Sequence, residues 1–435
     1  MGKPRIAIVG ASLGGTVAAA LLQRSGTETV VYEQAQSLSR YMGGVHLSPN
    51  AMKVLRRVGC ERELHAIGAH PDFWVSRDAE SGQPIAQIPL GDYAKSRYGA
   101  AYLTVPRSGL ADVIERALTP GSIRFGKCLR CVEDTDSGVR MTFTDETVET
   151  ADLLVVADGA GSTVRSHLLG AVAPHYSGYV THRLAFPASL LGRRPYDMCA
   201  KWWSRDRHLL GYYLTSARNE YYFVTTVPQQ FWPAGMVTMS TTRNEMREAF
   251  AGFHPDVRRL MDISPSLSTR PLLHQNSSPI WSSGRLVLIG DACHPMRSTA
   301  QGAAIAIEDA AMLARCLNEA GPTLHQSAFA LYEANRVDRI ATAHRLSATN
   351  AWMRDDLDLS WFQGYDAFDV PLKLSTARAV IGTADHRDGD FVGDSSHCWR
   401  RQPMGPTGAS DGFEAQAFSR ETRASRPLTG TMPEV

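Results

Sequence analysis

The chain opens on a continuous apolar run, Ile6-Ala7-Ile8-Val9, that stops at a glycine-rich turn, Gly10-Ala11-Ser12-Leu13-Gly14-Gly15. Residues 16–24, rich in Ala and Leu, then read as a helix. After Gly26 a second run, Thr29-Val30-Val31-Tyr32, ends at Glu33. Strand, glycine turn, helix and strand in this order open a dinucleotide-binding fold. Residues 48–68 read as helical, with Pro49 near the start and Met52, Leu55 and Val58 at three-residue spacing. Residues 74–102 read as short strands and turns, and residues 109–118 as an amphipathic helix entered through Pro106-Arg107-Ser108. Strands follow around Ile123, Val132 and residues 141–143, and the very apolar Leu153-Leu154-Val155-Val156-Ala157 ends at Asp158-Gly159.

The texture changes at residues 176–275, rich in Trp, Tyr and Thr with alternating runs such as Tyr221-Tyr222-Phe223-Val224-Thr225-Thr226. That pattern predicts an antiparallel sheet inserted into the nucleotide domain. Leu286-Val287-Leu288-Ile289 returns to buried-strand character, and residues 303–319 and 327–352 read as long helices. The predicted fold class is therefore α/β: a Rossmann-like domain over residues 1–175, with residues 72–105 contributing to the inserted region; an antiparallel sheet region over 176–275; and completion of the nucleotide domain with C-terminal helices over 276–370. Residues 371–435, polar and without periodicity, are expected not to join the core.

A chain of 435 residues exceeds what one hydrophobic core usually spans, in line with two domains. A formal net charge of +1 gives no electrostatic reason to expect nucleic acid or an anionic membrane as partner. Arg400 and Arg401 near the end are not part of a dense basic block with interleaved aromatics. The first apolar run is too short for a signal segment or a membrane span. Seven scattered cysteines suit a reducing compartment better than a disulfide framework, and Cys128 and Cys131 lack the second pair or His cluster of a metal site. The composition points to a cytoplasmic protein acting on small molecules.

Three segments carry chemistry. Gly10 to Gly15 has the form G-x-S-x-x-G, with Ser12 where the dinucleotide fingerprint has its second glycine; backbone N–H groups at this helix start can face a pyrophosphate. Glu33, at the end of the next strand, is placed to accept from ribose hydroxyls. A tight turn in an ordinary α/β protein is the plainer alternative. Asp158-Gly159-Ala160-Gly161-Ser162-Thr163-Val164-Arg165 reads alone as a strand-to-helix turn, with Ser162 as cap and Arg165 as a solvated charge. Gly290-Asp291-Ala292-Cys293-His294-Pro295 reads as a strand end followed by a glycine-bearing helix start.

In this order the three segments resemble the class A FAD-dependent aromatic hydroxylases, single-component monooxygenases with the p-hydroxybenzoate hydroxylase fold. The resemblance implies that Gly10, Ser12, Leu13, Gly14, Gly15, Glu33 and Gln34 hold the ADP half of FAD. It implies that Asp158 and Gly159 touch both FAD and NADH or NADPH, and that Asp291 binds the ribityl chain. Gly302 and Ala303 would begin a helix aimed at the flavin, and Arg107 matches a flavin-contacting arginine. Further strings, among them Gly44-Val45-His46-Leu47-Ser48-Pro49-Asn50, His70-Pro71-Asp72-Phe73-Trp74 and Lys201-Trp202-Trp203-Ser204, resemble the branch that acts on hydroxylated pyridine carboxylates. That likeness implies decarboxylative hydroxylation with O2, with His46, Cys199, His208 and Tyr212 on catalytic positions. A salicylate-type ring, or a flavin-binding protein with altered catalysis, are the alternatives, and the chain is expected as a monomer or homodimer.

The residues themselves leave other roles open. His46 could serve a structural hydrogen bond, His208 could be a surface histidine, and Cys199 could be a buried apolar thiol. Only one of Tyr212 and Tyr213 can face a given side of a strand. The loop from Pro295 to Gln301 is one residue shorter than the family pattern and has Ser298 where a proline is usual, which predicts a different substrate or reduced activity.

Overall fold

The computed structural model describes residues 4–38, 43–169, 174–193, 196–274, 280–295, 301–321, 324–349, 353 and 358–373. Loop residues 296–300 lie outside them, as does the expected tail apart from residues 371–373. Strand β1 (Ile6–Val9), helix α1 (Leu13–Arg24) and β2 (Thr29–Tyr32) form the expected opening unit. Ser12 caps α1 by accepting from Gly15 N–H at 3.2 Å, and residues from Gly14 to Leu22 are buried along it. Next come β3 (Gly44–Leu47) and, in place of the single helix expected over 48–68, two helices, α2 (Pro49–Val58) and α3 (Glu61–Ile67). The break falls where Gly59 N–H closes onto Arg56 O and Cys60 N–H onto Leu55 O, ending α2 with its own carbonyls.

Residues 73–106 hold β4 (Phe73–Asp78), β5 (Pro84–Pro89), α4 (Gly91–Tyr98) and β6 (Leu103–Pro106). The helix α4 corrects the reading of this stretch as strands and turns. It is anchored by buried Ala94 and Tyr98 alone, too few apolar positions to show a period. Helix α5 (Arg107–Arg116) starts two residues earlier than expected. Then follow β7 (Ile123–Arg124), the meander β8 (Leu129–Thr135), β9 (Gly138–Phe143) and β10 (Val148–Ala151), then β11 (Leu153–Val156) and α6 (Thr163–Leu169).

The inserted region supplies β12 (His175–Pro187), β13 (Cys199–Trp203), β14 (His208–Tyr213), β15 (Glu220–Pro228), β16 (Met239–Thr241), α7 (Arg243–Ala249), α8 (Pro255–Ile263) and β17 (Leu267–His274). The chain returns through β18 (Ser282–Ser283) and β19 (Leu286–Leu288) to helices α9 (Gly302–Ala320), α10 (His325–Thr349) and α11 (Ser360–Gln363). Residues 290–292 form a short 3-10 turn, so the expected helix start at the Gly290 segment is corrected: the helix begins at Gly302.

Two large sheets organise the molecule. A six-stranded sheet, β18-β19-β11-β1-β2-β7, is parallel except for β18, and every residue of β1, β11 and β19 is buried, as expected of strands covered on both faces. An eight-stranded sheet, β16-β17-β12-β15-β14-β13-β4-β5, joins the inserted strands to β4 and β5 from the earlier segment. Only its β13–β4 pairing is parallel. Alternation along its strands divides the side chains between two layers. Trp202, Leu209, Tyr221 and Phe223 pack with α7 and α8 residues such as Met246, Val257 and Leu260. On the other face, Trp74, Trp203, Leu210, Tyr212 and Tyr222 turn toward the nucleotide fold.

Between α9 and α10 lies a buried charged layer. Glu308, Asp309 and Arg336 are fully buried, and Arg339 nearly so. Arg336 pairs with Asp309 at 2.7 Å and with Glu308 at 2.8 Å; Arg339 pairs with Glu308 at 2.6 Å. Asn50 Nδ2 donates to Glu308 at 2.6 Å, while Asp309 accepts from Gly290 N–H at 2.9 Å and His294 Nε2 at 2.5 Å. The layer thus holds the turn at Gly290. At the far end, Lys373 N–H donates to Asn335 Oδ1 at 2.8 Å and Leu372 packs on the core, so residues 371–373 join the body instead of beginning a detached tail.

Candidate active site

A cavity of about 360 Å³ separates the cavity-facing side of the eight-stranded sheet from the nucleotide fold. Its nucleotide wall is built by Ser12, Leu13 and Gly14 at the start of α1, Gly159 after β11, Gly290 and Asp291 after β19, and Gly302 and Ala303 at the start of α9. All three sequence segments therefore meet at one place. The backbone fixes them there: Gly10 adopts φ +100° and lies so close to Ala157 O that any side chain would collide with it. Glu33 Oε2 accepts from Ala11 N–H at 2.8 Å and Oε1 from Ala35 N–H at 2.9 Å, which orients the carboxylate beside the turn. Gln34 is exposed, 3.8 Å from Cys128 Sγ, and is not part of the cavity wall.

Asp158 presents a buried Oδ1 without a hydrogen-bond partner, and burial pushes its pKa up to about 6 against the opposing pull of Ser162 and Arg165. A helix start, an oriented Glu33 and this orphaned acceptor are what the phosphates and ribose hydroxyls of a dinucleotide require, so the residues can hold FAD. Arg165, expected as a solvated charge, is buried instead. Its guanidinium donates to Asp291 O at 3.1 Å, Ala292 O at 2.9 Å and Ala160 O at 2.5 Å, tying the second segment to the third. Ser162 does cap α6, accepting from Arg165 N–H at 3.1 Å.

The opposite wall carries polar groups on an aromatic layer. His46 on β3 is buried, its Nδ1 lies 3.0 Å from Tyr102 Oη, and its Nε2 has no partner. Its ring centroid stands 4.2 Å from that of Tyr212, which in turn meets Tyr222 at 5.2 Å. Tyr212 rather than Tyr213 lines the cavity, as the strand alternation requires. His208 also lines it, beside Trp203 at 5.1 Å, which resolves the surface alternative. Cys199 is fully buried opposite Tyr212 in the sheet, with its thiol pushed well up by burial, and is not among the residues that line the cavity. That placement fits the apolar-thiol alternative.

Sequence reasoning missed two cations on this wall, Arg183 on β12 and Lys201 on β13. Lys201 is only 2% exposed, with Nζ 4.0 Å over the Trp203 ring and 3.4 Å from Met353 Sδ. Arg107, at the start of α5, reaches the same cavity as expected.

Burial, with Lys201 adding to it, pushes the His46 pKa down to about 3, and burial pushes that of His182 down to about 4. Both are neutral in the fold and protonate near 6.5 when unfolded, so stability is full above that pH and is lost as pH falls toward these values. At pH 5 each should cost about 2 kcal/mol. Urea unfolding at neutral pH and at pH 5 checks this, and His46→Gln should remove its share of the difference.

The chain belongs to the FAD-binding domain family, whose model matches residues 3–347, and it is an FAD-dependent monooxygenase. It is 50% identical over 373 residues to 6-hydroxynicotinate 3-monooxygenase of Bordetella bronchiseptica, covering 85% of this chain and 97% of that one. The enzyme of the same name from Pseudomonas fluorescens is also 50% identical, over 87% of this chain and 99% of its own length. Among solved structures, Klebsiella pneumoniae HpxO complexed with FAD and uric acid matches with a TM-score of 0.70 and 27% identity, over 82% of this chain and 90% of that one. No described helix is long and apolar enough to cross a membrane.

Proposed function

We propose that the protein converts 6-hydroxynicotinate, NADH (or NADPH) and O2 to 2,5-dihydroxypyridine, CO2, water and the oxidised nicotinamide, in the cytoplasm and without nucleic-acid or membrane partners. The observation that carries this reading is the 50% identity along nearly the whole length of two relatives with that activity in their names. Bound FAD would supply the redox and oxygen chemistry.

The chain's own residues would bind and orient. Ser12, Leu13, Gly14 and Gly15 present the start of α1 to the pyrophosphate, Glu33 and Asp158 accept from hydroxyls, and Asp291 faces the ribityl chain. Gly302 and Ala303 place the positive end of α9 at the cavity. Arg107 and Arg183 offer guanidinium groups to a carboxylate. His46, neutral and with Nε2 free, and the Tyr212 hydroxyl can hold or pass a proton at a hydroxylated ring. The aromatic layer of Trp74, Trp203 and Tyr222 excludes water from that ring.

The purified protein should be yellow, and 6-hydroxynicotinate should accelerate its NADH consumption with release of 2,5-dihydroxypyridine. Yellow protein whose NADH oxidation is indifferent to this ring would overturn the assignment. That result would favour altered catalysis, the reading that the shortened loop after Pro295 first suggested.

A further inference from the structure

We infer that Tyr102 is a positioning residue: its hydroxyl donates to His46 Nδ1 and thereby fixes the His46 proton on Nε2, which offers it to an oxygen of the substrate. The inference rests on the functional reading above for the substrate, and on the fold alone for the place of the proton. Tyr102 Oη and His46 Nδ1 stand 3.0 Å apart, and each residue is the other's sole hydrogen-bonding side-chain partner among the described residues.

The pairing is built into the backbone. His46 on β3 lies opposite Thr104 on β6, and Tyr102 comes two residues before Thr104, which brings its side chain to the His46 side of the ribbon. Thr104 is held in turn, its hydroxyl donating to Tyr213 O at 2.7 Å and its backbone N–H to Ala69 O at 3.0 Å. Tyr102 and His46 are both buried, but only His46 lines the cavity. Nδ1 is therefore spent on the wall, and Nε2 is left for whatever enters.

A hydrogen bond between a hydroxyl and an imidazole nitrogen can run either way, and the count of buried donors decides its direction. Burial pushes the Tyr102 pKa well above its ordinary value, so the hydroxyl keeps its proton. Burial also keeps the His46 ring neutral, so it carries one proton to place. If Nδ1 held that proton, the Tyr102 O–H would have no acceptor and the Nε2 lone pair no donor. With the proton on Nε2 the O–H is satisfied, and the one unpaired donor belongs to the residue that lines the cavity. An orphaned buried donor is costly, so the second arrangement prevails. What results is a neutral N–H set against the rings of Trp74 and Tyr212, suited to a lone pair of a carboxylate or of a ring oxygen.

The test is nitrogen-15 magnetic resonance of the full-length, FAD-loaded enzyme labelled in its histidines, since the two nitrogens of a neutral imidazole differ in shift according to which bears the proton. The His46 pattern is the one missing from His46→Gln. Wild type without substrate should show a protonated Nε2 and a bare Nδ1. Tyr102→Phe should show both tautomers in exchange, while the unchanged signals of the other histidines report that the variant is folded. Adding 6-hydroxynicotinate to wild type should move the Nε2 proton downfield as it gains an acceptor. Nicotinate keeps only the carboxylate and 2-hydroxypyridine only the ring oxygen, so whichever reproduces the shift names the oxygen.

A proton on Nδ1 in wild type would overturn the inference, and that reading needs neither variant fold nor substrate. So would a Tyr102→Phe spectrum with the same single tautomer, or an Nε2 proton unmoved by bound 6-hydroxynicotinate. If wild type does not bind 6-hydroxynicotinate at all, the functional reading fails, and the substrate-free spectrum still decides the role of Tyr102.

Discussion

Replacing Arg336 by methionine should destabilise the protein by about 3 to 5 kcal/mol, because it leaves buried carboxylate charge without its partner. Arg336 is fully buried, with Nε on Asp309 Oδ1 at 2.7 Å and Nη1 on Glu308 Oε2 at 2.8 Å. Burial alone would raise the pKa of both acids, yet the arginines and, for Asp309, His294 hold them below the usual range, so both are charged. Glu308 would keep Arg339 and Asn50, whereas Asp309 would retain, among the described residues, only His294 and Gly290 N–H.

The same loss should reach the cofactor site. Asp309 pins the Gly290 turn, and Asp291 follows it on the cavity wall, so a loosened Asp309 weakens FAD binding as well as the fold. Urea unfolding with and without added FAD separates the two contributions. Arg336→Lys keeps the charge but cannot serve both acids with a planar fork, so it should fall between wild type and methionine. A methionine variant as stable as wild type would show that the layer sets geometry without contributing to stability.

The parts legible in the sequence are those whose signal is local. Thr29–Tyr32 emerges with the expected bounds because a continuous apolar run between glycine and acid admits one reading. The two long helices emerge where expected, the last positions of the second, 350–352, lying outside the described residues. The three cofactor segments announce themselves because backbone approach to a phosphate demands small residues at fixed offsets.

What stayed hidden depends on distant partners. Arg165 reads as a surface charge until Asp291 and Ala292, far along the chain, supply its acceptors. Glu308 and Asp309 look like the polar face of a helix, and only the register of α10 against α9 turns them inward. Lys201 sits in a strand where a lysine would ordinarily mark an exposed position, and only Trp203, Ser76 and Met353 reveal its burial. Charged side chains carry no sequence mark of whether a partner awaits them.

Replacing Gly44 by alanine should lower kcat/KM about a hundredfold while FAD stays bound. Gly44 opens β3 opposite Pro106, in an extended strand where alanine is conformationally acceptable, so the whole effect comes from what its methyl would meet. That methyl would stand 2.5 Å from Tyr212 Cε2 and Leu214 Cδ2 and 2.6 Å from Tyr212 Oη. Tyr212 cannot yield by moving its backbone, which is paired to Cys199 on one side and Tyr222 on the other. Its ring must swing instead, away from its place beside His46. A displacement of that kind at a proton-handling pair is enough to lose the alignment that catalysis needs. Overpacking should also cost about 1 to 3 kcal/mol of stability, measurable in the same urea experiment. Tyr212→Phe supplies the contrast, since it removes the hydroxyl and leaves the ring in position. If Gly44→Ala retained wild-type turnover of 6-hydroxynicotinate with flavin bound, the His46 and Tyr212 pairing would be shown to have no part in the reaction.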